Sequence, residues 1–202
     1  MGGEHAVPPM IELPDSLRAR LDALVAEGWD IFERFDNEVR QKKWHPFVAA
    51  DYDRVLEALL PLRAPGLRFL EWGSATGVIT IMADLLGFEA YGIELDPALV
   101  EVARELAQRH GSSAQFVAGS FLPTGYHWRS PSGDERIGTI GYGESAYPRM
   151  GHPLEDFDVV YAYPWTGEEP MMRDLMRSYG SLDARLLIHG GEAGVRVHHV
   201  TR

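Results

Sequence analysis

A turn with two glycines holds the first residues whose types and spacing could bind a ligand. Glu71-Trp72-Gly73-Ser74-Ala75-Thr76-Gly77 joins a predicted strand over 67–72 to a predicted helix over 76–86. Glycines at such a junction let the backbone turn tightly and approach a bound molecule. The free amides at the start of the helix favour negative groups such as a carboxylate. The same spacing occurs in ordinary strand-to-helix turns, so it needs a second signal.

The second signal is Glu94, which ends the next predicted strand and lies 23 positions after Glu71. The carboxyl ends of parallel strands meet at one edge of a sheet, so we expect Glu94 beside the glycine turn. A carboxylate there can accept hydrogen bonds from both hydroxyls of a ribose. A solvated carboxylate at a strand end is the alternative interpretation. The two signals together favour a nucleotide-like ligand more strongly than either does alone.

Strands and helices alternate after Gly66, and this order predicts a mostly parallel sheet with helices on both faces. The predicted strands cover residues 67–72, 89–94, 114–118, 157–162, 185–189 and 195–200. Asp96-Pro97 predicts the start of one helix, and Thr166 with Glu169 predicts a capping box before another. The expected fold class is α/β and Rossmann-like, with an N-terminal helical extension and a shortened C-terminal end.

The segment before the sheet is predicted to be a flexible leader over 1–14 followed by helices. Apolar residues from Ser16 onward predict one long helix, or two broken near Gly28, ending at Pro46. Asp51 is the candidate cap of a further helix. The aromatic residues 44–47 leave two interpretations open: they cover a bound ligand, or they seal the helix against the sheet.

The connection over 122–155 is unusually long and rich in Gly, Pro, Ser, Tyr and charged residues. It shows little helical or strand periodicity, so we predict an irregular insert. Loops of this length in compact domains are usually functional or disordered. For most of its residues we favour a solvated, mobile loop over one that folds onto the ligand.

Together, the turn and Glu94 resemble class I S-adenosylmethionine-dependent methyltransferases. The glycine motif of that family is acidic-x-Gly-x-Gly-x-Gly, which Glu71, Gly73 and Gly77 match, with Ala75 in place of the middle glycine. The nicotinamide dinucleotide pattern Gly-x-Gly-x-x-Gly is not matched. The resemblance therefore implies S-adenosylmethionine as the cofactor.

The resemblance also implies a role for each matched position. It places Glu71 and the loop 73–77 at the amino-acid end of the cofactor, Glu94 at the ribose and Leu95 against the adenine. Ser120 stands where the family often has an Asp that contacts the adenine amino group, although it could also mark a plain turn. The predicted cofactor-binding residues are Glu71, Gly73, Ser74, Ala75, Gly77, Glu94, Leu95, Ser120, Phe121 and Tyr163.

The end of the fourth predicted strand resembles the site where amino-methyltransferases carry Asp/Asn-Pro-Pro-aromatic. Here Ala162 and Tyr163 stand at the positions of the polar residue and the first proline. The group that orients an amine is therefore missing, so nitrogen specificity does not carry over. A position near the transferred methyl group still follows for Tyr163. No catalytic residue is assigned.

The resemblance gives a domain division and a function. We expect a leader and helical extension over 1–66 and an S-adenosylmethionine-binding domain over 67–202, where one short strand replaces the helix and hairpin that the family has after strand five. The predicted function is a methyltransferase for a small molecule or protein, because positioning alone can supply much of the rate of methyl transfer. The alternatives are a non-catalytic S-adenosylmethionine-binding protein and another Rossmann-like nucleotide-binding enzyme.

The amino-acid composition narrows the classes of partner that the protein is expected to bind. The formal net charge of −11 argues against nucleic acid, because a polyanion would be repelled. The chain has no cysteine and no run of 18 apolar residues, and its first residues do not resemble a signal peptide, so we expect a cytoplasmic protein without a membrane segment. No spacing of metal ligands is recognisable. The N-terminal helices cover the sheet or form a homodimer.

Overall fold

Six strands form one sheet in the computed structural model, which describes residues 12–128 and 143–200. The strands run in the order β3-β2-β1-β4-β5-β6 across the sheet. The first five in chain order are parallel, and β6 pairs antiparallel with β5 at the edge. The strands are β1 Arg68–Trp72, β2 Glu89–Glu94, β3 Gln115–Ala118, β4 Val159–Ala162, β5 Arg185–His189 and β6 Val195–His199. The predicted α/β, Rossmann-like fold class is confirmed.

Helices cover both faces of this sheet. The α-helices are α1 Asp15–Phe35, α2 Tyr52–Leu59, α3 Val78–Leu85, α4 Pro97–Arg109, α5 Tyr147–Met150 and α6 Glu169–Tyr179. Side chains alternate along each strand, so Phe69 packs in the core beneath α1 to α4 while Leu70 packs in the core beneath α5 and α6. The N-terminal helices thus share one apolar core with the sheet.

The start of each helix shows which predicted caps form. The side chain of Asp51 accepts a hydrogen bond from the Arg54 amide, and that of Asp96 from the Ala98 amide, as predicted. The predicted capping box of Thr166 and Glu169 is wrong. Glu168 is the residue before α6, and its carboxylate accepts from the Trp165 amide instead, so it fixes the preceding turn.

Gly28 does not break α1, which runs without interruption to Phe35 and continues as a π-helical turn over Asp36–Arg40. The helical segment therefore ends well before the predicted stop at Pro46. A Cβ atom at Gly28 would lie 2.7 Å from Val78 Cγ2. The glycine is there because α1 crosses α3 closely, and that reason is invisible in the local sequence.

Part of the predicted irregular insert is ordered, which corrects the expectation for residues 143–155. Residues 145 and 120 pair as an isolated bridge, α5 follows, and a 3₁₀ turn covers Leu154–Asp156. Ala146, Tyr147 and Leu154 are buried in the core beneath α6. These apolar residues follow neither a helical nor a strand period, so the sequence pattern missed them. Residues 129–142 lie outside the described part of the chain.

Candidate functional site

A cavity of about 750 Å³ opens at the carboxyl edge of the parallel strands. Its walls come from the ends of β1, β2, β4 and β5, from the start of α6 and from residues 45–48. Cavities of about 300–1,000 Å³ are typical of sites for cofactors and small molecules. Six predicted site residues line it: Gly73, Ala75, Glu94, Leu95, Phe121 and Tyr163. The other four predicted residues, Glu71, Ser74, Gly77 and Ser120, do not.

The glycine turn has three left-handed positions at alternate residues: Gly73, Ala75 and Gly77 have φ angles of +77°, +45° and +82°. The amides of Gly73 and Ser74 both donate to the Ile93 carbonyl oxygen at 2.9 Å, which fastens the turn to β2. A Cβ at Gly77 would lie 2.7 Å from the Phe116 ring, so only glycine fits there. Gly77 thus determines the backbone conformation of the turn but does not line the large cavity.

A third glycine, which the sequence did not reveal, also shapes the turn. Gly92 lies in the middle of β2, and a Cβ there would lie 2.7 Å from the side chain of Ser74. Because Gly92 has no side chain, the glycine turn can pack closely against β2. A glycine inside a strand often marks such a close approach, and this was the signal available in the sequence.

Glu94 is held on the cavity wall by backbone donors on both sides. Its Oε2 accepts from the Ala75 amide at 2.9 Å and its Oε1 from the Asp96 amide at 3.0 Å. Each carboxylate oxygen has a further lone pair and can still accept a hydrogen bond from a ligand. The carboxylate is thus fixed at the cavity wall, with acceptor capacity left on both oxygens.

Glu71 lies beneath the turn and acts as a cap for α3. Its Oε2 accepts from both the amide and the hydroxyl of Thr80. The side chain is 4% exposed, and burial raises its pKa to about 8, helped by the charge of Glu94 and opposed by the Thr80 hydrogen bonds. Glu71 faces a second cavity of about 40 Å³, which shares Gly73 and Ala75 with the large one.

Ser74 and Ser120 are both buried and point away from the large cavity. The hydroxyl of Ser74 has no partner among the described residues, and it lines the small cavity. The hydroxyl of Ser120 accepts from the Leu122 amide at 3.1 Å, and its backbone joins residue 145. The serine thus stabilises the turn after β3 in this structure.

An aromatic pair forms the floor of the cavity near Leu95. The ring of Phe121 stacks on that of Trp72, with centroids 5.2 Å apart and planes 17° apart. The indole N–H of Trp72 donates to the Tyr147 hydroxyl at 3.0 Å, which anchors the buried ring. Trp72 and Tyr147 were not predicted as site residues, because their partners are distant in sequence.

Tyr163 is backed by a neutral histidine. The Tyr163 and His189 ring centroids are 4.4 Å apart. His189 Nδ1 accepts from the Gly191 amide at 3.1 Å, so the proton of the neutral ring is on Nε2. Burial lowers the pKa of His189, which favours this neutral form. This contact holds the Tyr163 ring in place.

The aromatic segment 44–47 packs against α1, as one interpretation of the sequence predicted, and two of its aromatic residues also line the cavity. His45 and Phe47 line the cavity, and His45 Nε2 lies 3.3 Å from Asp96 Oδ2. Phe47 also packs edge-on against Phe32 and Phe35 of α1. The segment is therefore a wall of the cavity and a seal of the helix at the same time.

Known proteins with similar sequences are methyltransferases. Ribosomal protein L11 methyltransferase from Thermus thermophilus is 37% identical over 73 residues, which are 35% of this chain and 29% of that protein. Ubiquinone biosynthesis O-methyltransferase from Cereibacter sphaeroides is 30% identical over 103 residues, 48% of this chain and 41% of that protein. Over these segments the chain is similar in sequence to methyltransferases.

The match to these methyltransferases covers well under half of their length. No protein-family model matches the chain. An RNA methyltransferase from Salinibacter ruber, solved in complex with S-adenosyl-L-homocysteine, aligns with 70% of this chain and 76% of its own, at 18% identity and a TM-score of 0.48. A likeness of this degree says nothing about ligand or substrate.

Several acidic groups line the large cavity. Glu94, Asp96, Glu168 and Glu169 line it, with Arg196 as the cation among its lining residues within the described ranges. Arg196 contacts the Glu169 carboxylate at 2.5 Å. Between residues 12–128 and 143–200, no three His, Asp or Glu side chains are grouped to hold a metal ion, and no helix there is long and apolar enough to cross a membrane.

Proposed function

We propose that the chain is a methyltransferase that uses S-adenosylmethionine. The observation that carries this proposal is the carboxylate of Glu94, held on the cavity wall by the amide of the glycine turn and aimed at the space beside it. The methyltransferases similar in sequence support the same reading. A small molecule or a protein side chain is the proposed acceptor, and the cytoplasm the proposed location.

The described residues fit this cofactor. Glu94 would hold the ribose hydroxyls, while Leu95 and Phe121 would enclose the adenine. The exposed backbone at Gly73 and Ala75 would allow the amino-acid end to approach closely, because a Cβ at Gly73 meets nothing within 4 Å and the position is left bare. The net negative charge of the cavity lining suits the positively charged sulfonium of this cofactor.

Glu71, Ser74, Gly77 and Ser120 would act indirectly in this proposal. They cap α3, pack the turn on β2 and fix the turn after β3, and so hold the groups that face the ligand. Glu71 remains the candidate for the amino-acid end through the small cavity that it shares with Gly73.

When bound, S-adenosylmethionine supplies an activated methyl group on a sulfonium sulfur. The chain would orient the acceptor and exclude water with Phe47, Tyr163 and Trp165, which line the cavity. Positioning and desolvation can provide most of the rate without a dedicated base. His189 keeps its proton on Nε2 and is therefore a hydrogen-bond donor, not a base, in this arrangement.

Calorimetric titration with S-adenosylmethionine and S-adenosylhomocysteine tests the proposal. We expect micromolar binding to the wild-type protein and a loss of at least tenfold in Glu94→Ala, since two charge-assisted hydrogen bonds disappear. Glu105→Ala is the matched control, because Glu105 is an exposed glutamate on α4 outside the cavity. No binding of either ligand would refute the proposal.

Turnover separates this proposal from the two alternatives. Formation of S-adenosylhomocysteine with small-molecule or protein acceptors would establish a methyltransferase. Tight binding without turnover across acceptor classes would favour a non-catalytic S-adenosylmethionine-binding protein. Saturable binding of a nicotinamide dinucleotide, with none of S-adenosylmethionine, would favour another Rossmann-like enzyme.

A further inference from the structure

Two tryptophan side chains from distant parts of the sequence meet at the mouth of the cavity. Trp44 precedes the segment that walls the cavity, and Trp165 follows β4. Their ring centroids are 6.4 Å apart and their planes are tilted by 47°. Trp44 is 69% exposed and Trp165 39% exposed. Such large rings are usually buried, and exposed apolar patches beside a cavity commonly mark a binding surface.

Tyr163 extends this aromatic surface into the cavity. Its ring is 37% exposed and lines the same cavity as Trp165 and Ala75. His189 packs against the ring at 4.4 Å and is itself fixed by the Gly191 amide. Tyr163, the part of this aromatic surface that lies inside the cavity, is therefore held in place by His189.

The charged groups around this mouth already have partners. Glu168 accepts from the Trp165 amide at 2.8 Å, and Glu169 contacts Arg196. An anionic ligand would be repelled by these carboxylates, and a cationic one would gain little from them, because Glu168 is 3% exposed and Glu169 is paired with Arg196. The ring faces are the recognition groups that this end of the cavity offers, and they suit an uncharged, flat molecule.

We propose that Trp44, Tyr163 and Trp165 form the acceptor subsite and that the methyl acceptor is a neutral, planar aromatic molecule. This inference rests on the proposed function, because it names the substrate class of the same cavity. Stacking on the exposed rings would hold the acceptor flat, and Tyr163 would guide its edge towards the glycine turn. In this proposal the cofactor occupies the part of the cavity lined by Glu94 and Leu95, and the acceptor lies against the three rings.

Equilibrium dialysis with 2-naphthol and its saturated analogue decahydro-2-naphthol tests this inference without any turnover. The two probes share a skeleton and a hydroxyl, but only one is planar. We expect 2-naphthol to bind at least tenfold more tightly, with or without saturating S-adenosylhomocysteine. We expect Trp44→Ala and Trp165→Ala each to weaken its binding by about tenfold, the usual scale for loss of a stacking ring.

Trp29→Ala is the matched control, since Trp29 is 45% exposed on α1 and contacts Phe32 and Tyr52 outside the cavity. Its affinity for 2-naphthol should equal that of the wild type. Unchanged S-adenosylhomocysteine binding shows that each Trp variant is folded, and a Phe replacement at the same position should restore part of the 2-naphthol affinity.

Four results would overturn the inference: equal affinity for the planar and saturated probes, no effect of either Trp variant, displacement of 2-naphthol by S-adenosylhomocysteine, or tighter binding of benzyltrimethylammonium than of 2-naphthol. Any of these with intact S-adenosylhomocysteine binding contradicts the acceptor class alone. Absence of S-adenosylhomocysteine binding contradicts the proposed function itself.

Discussion

Ala75 adopts a left-handed backbone conformation that glycine reaches without a steric penalty, with φ at +45°. We expect Ala75→Gly to stabilise the protein by up to about 1 kcal/mol, because relief of the Cβ clash outweighs the extra freedom of glycine in the unfolded chain. Ala26→Gly, at an exposed position inside α1, should instead destabilise it by about 1 kcal/mol. Urea unfolding measures both. Equal destabilisation by the two changes would contradict the strain at Ala75.

The buried carboxyl group of Glu71 should make the stability of the protein depend on pH. Its pKa is about 8 in the folded protein and 4.5 as an ordinary value, so between these pH values the folded state keeps a proton that the unfolded state has lost. The free energy of unfolding should therefore fall as pH rises across this window, by at most about 1.4 kcal/mol per pH unit from this group.

Glu71→Gln removes that titration and keeps an oxygen acceptor for Thr80. We expect the stability of the variant relative to wild type to increase steadily from pH 5 to pH 8 in urea unfolding. Glu105→Gln, on the exposed side of α4, should show a constant difference from wild type. A constant difference for Glu71→Gln as well would show that the buried carboxyl does not retain its proton.

At the scale of elements, the packing of the glycine turn on β2 should control ligand affinity. Gly92→Ala places a Cβ 2.7 Å from Ser74, so we expect a loss of about 1–3 kcal/mol in stability and weaker binding of S-adenosylhomocysteine. Adding Ser74→Gly should restore part of both. Unchanged affinity in Gly92→Ala would mean that the turn tolerates displacement from the strand.

The sequence predicted those elements whose determinants are local. The strand-turn-helix around Gly73 and the helix capped by Asp96 depend on neighbouring residues, and they were recognised. Trp72 and Gly92 were missed because their roles depend on residues of other strands or turns. The insert was misjudged in part for the same reason, since Tyr147 is held by Trp72 and not by any pattern of its own.

At the scale of the whole molecule, the acidic charge should distinguish two ligands of nearly equal shape. S-adenosylmethionine carries a sulfonium charge that S-adenosylhomocysteine lacks, and the chain carries a net charge of −11. We expect the affinity for S-adenosylmethionine to fall more steeply between 20 and 300 mM salt, because screening weakens its attraction to the protein. If calorimetry showed the two affinities falling equally with salt, the negative charge of the protein would not contribute to the binding of S-adenosylmethionine.

The wall formed by residues 45–48 is attached to the core at both ends. It leaves the π-helical turn after α1 and returns to the sheet through α2, and both helices bury leucines against Phe69. A wall held at both ends in this way does not open by rotating about one end. We therefore expect this wall to keep its position when a ligand enters or leaves the cavity.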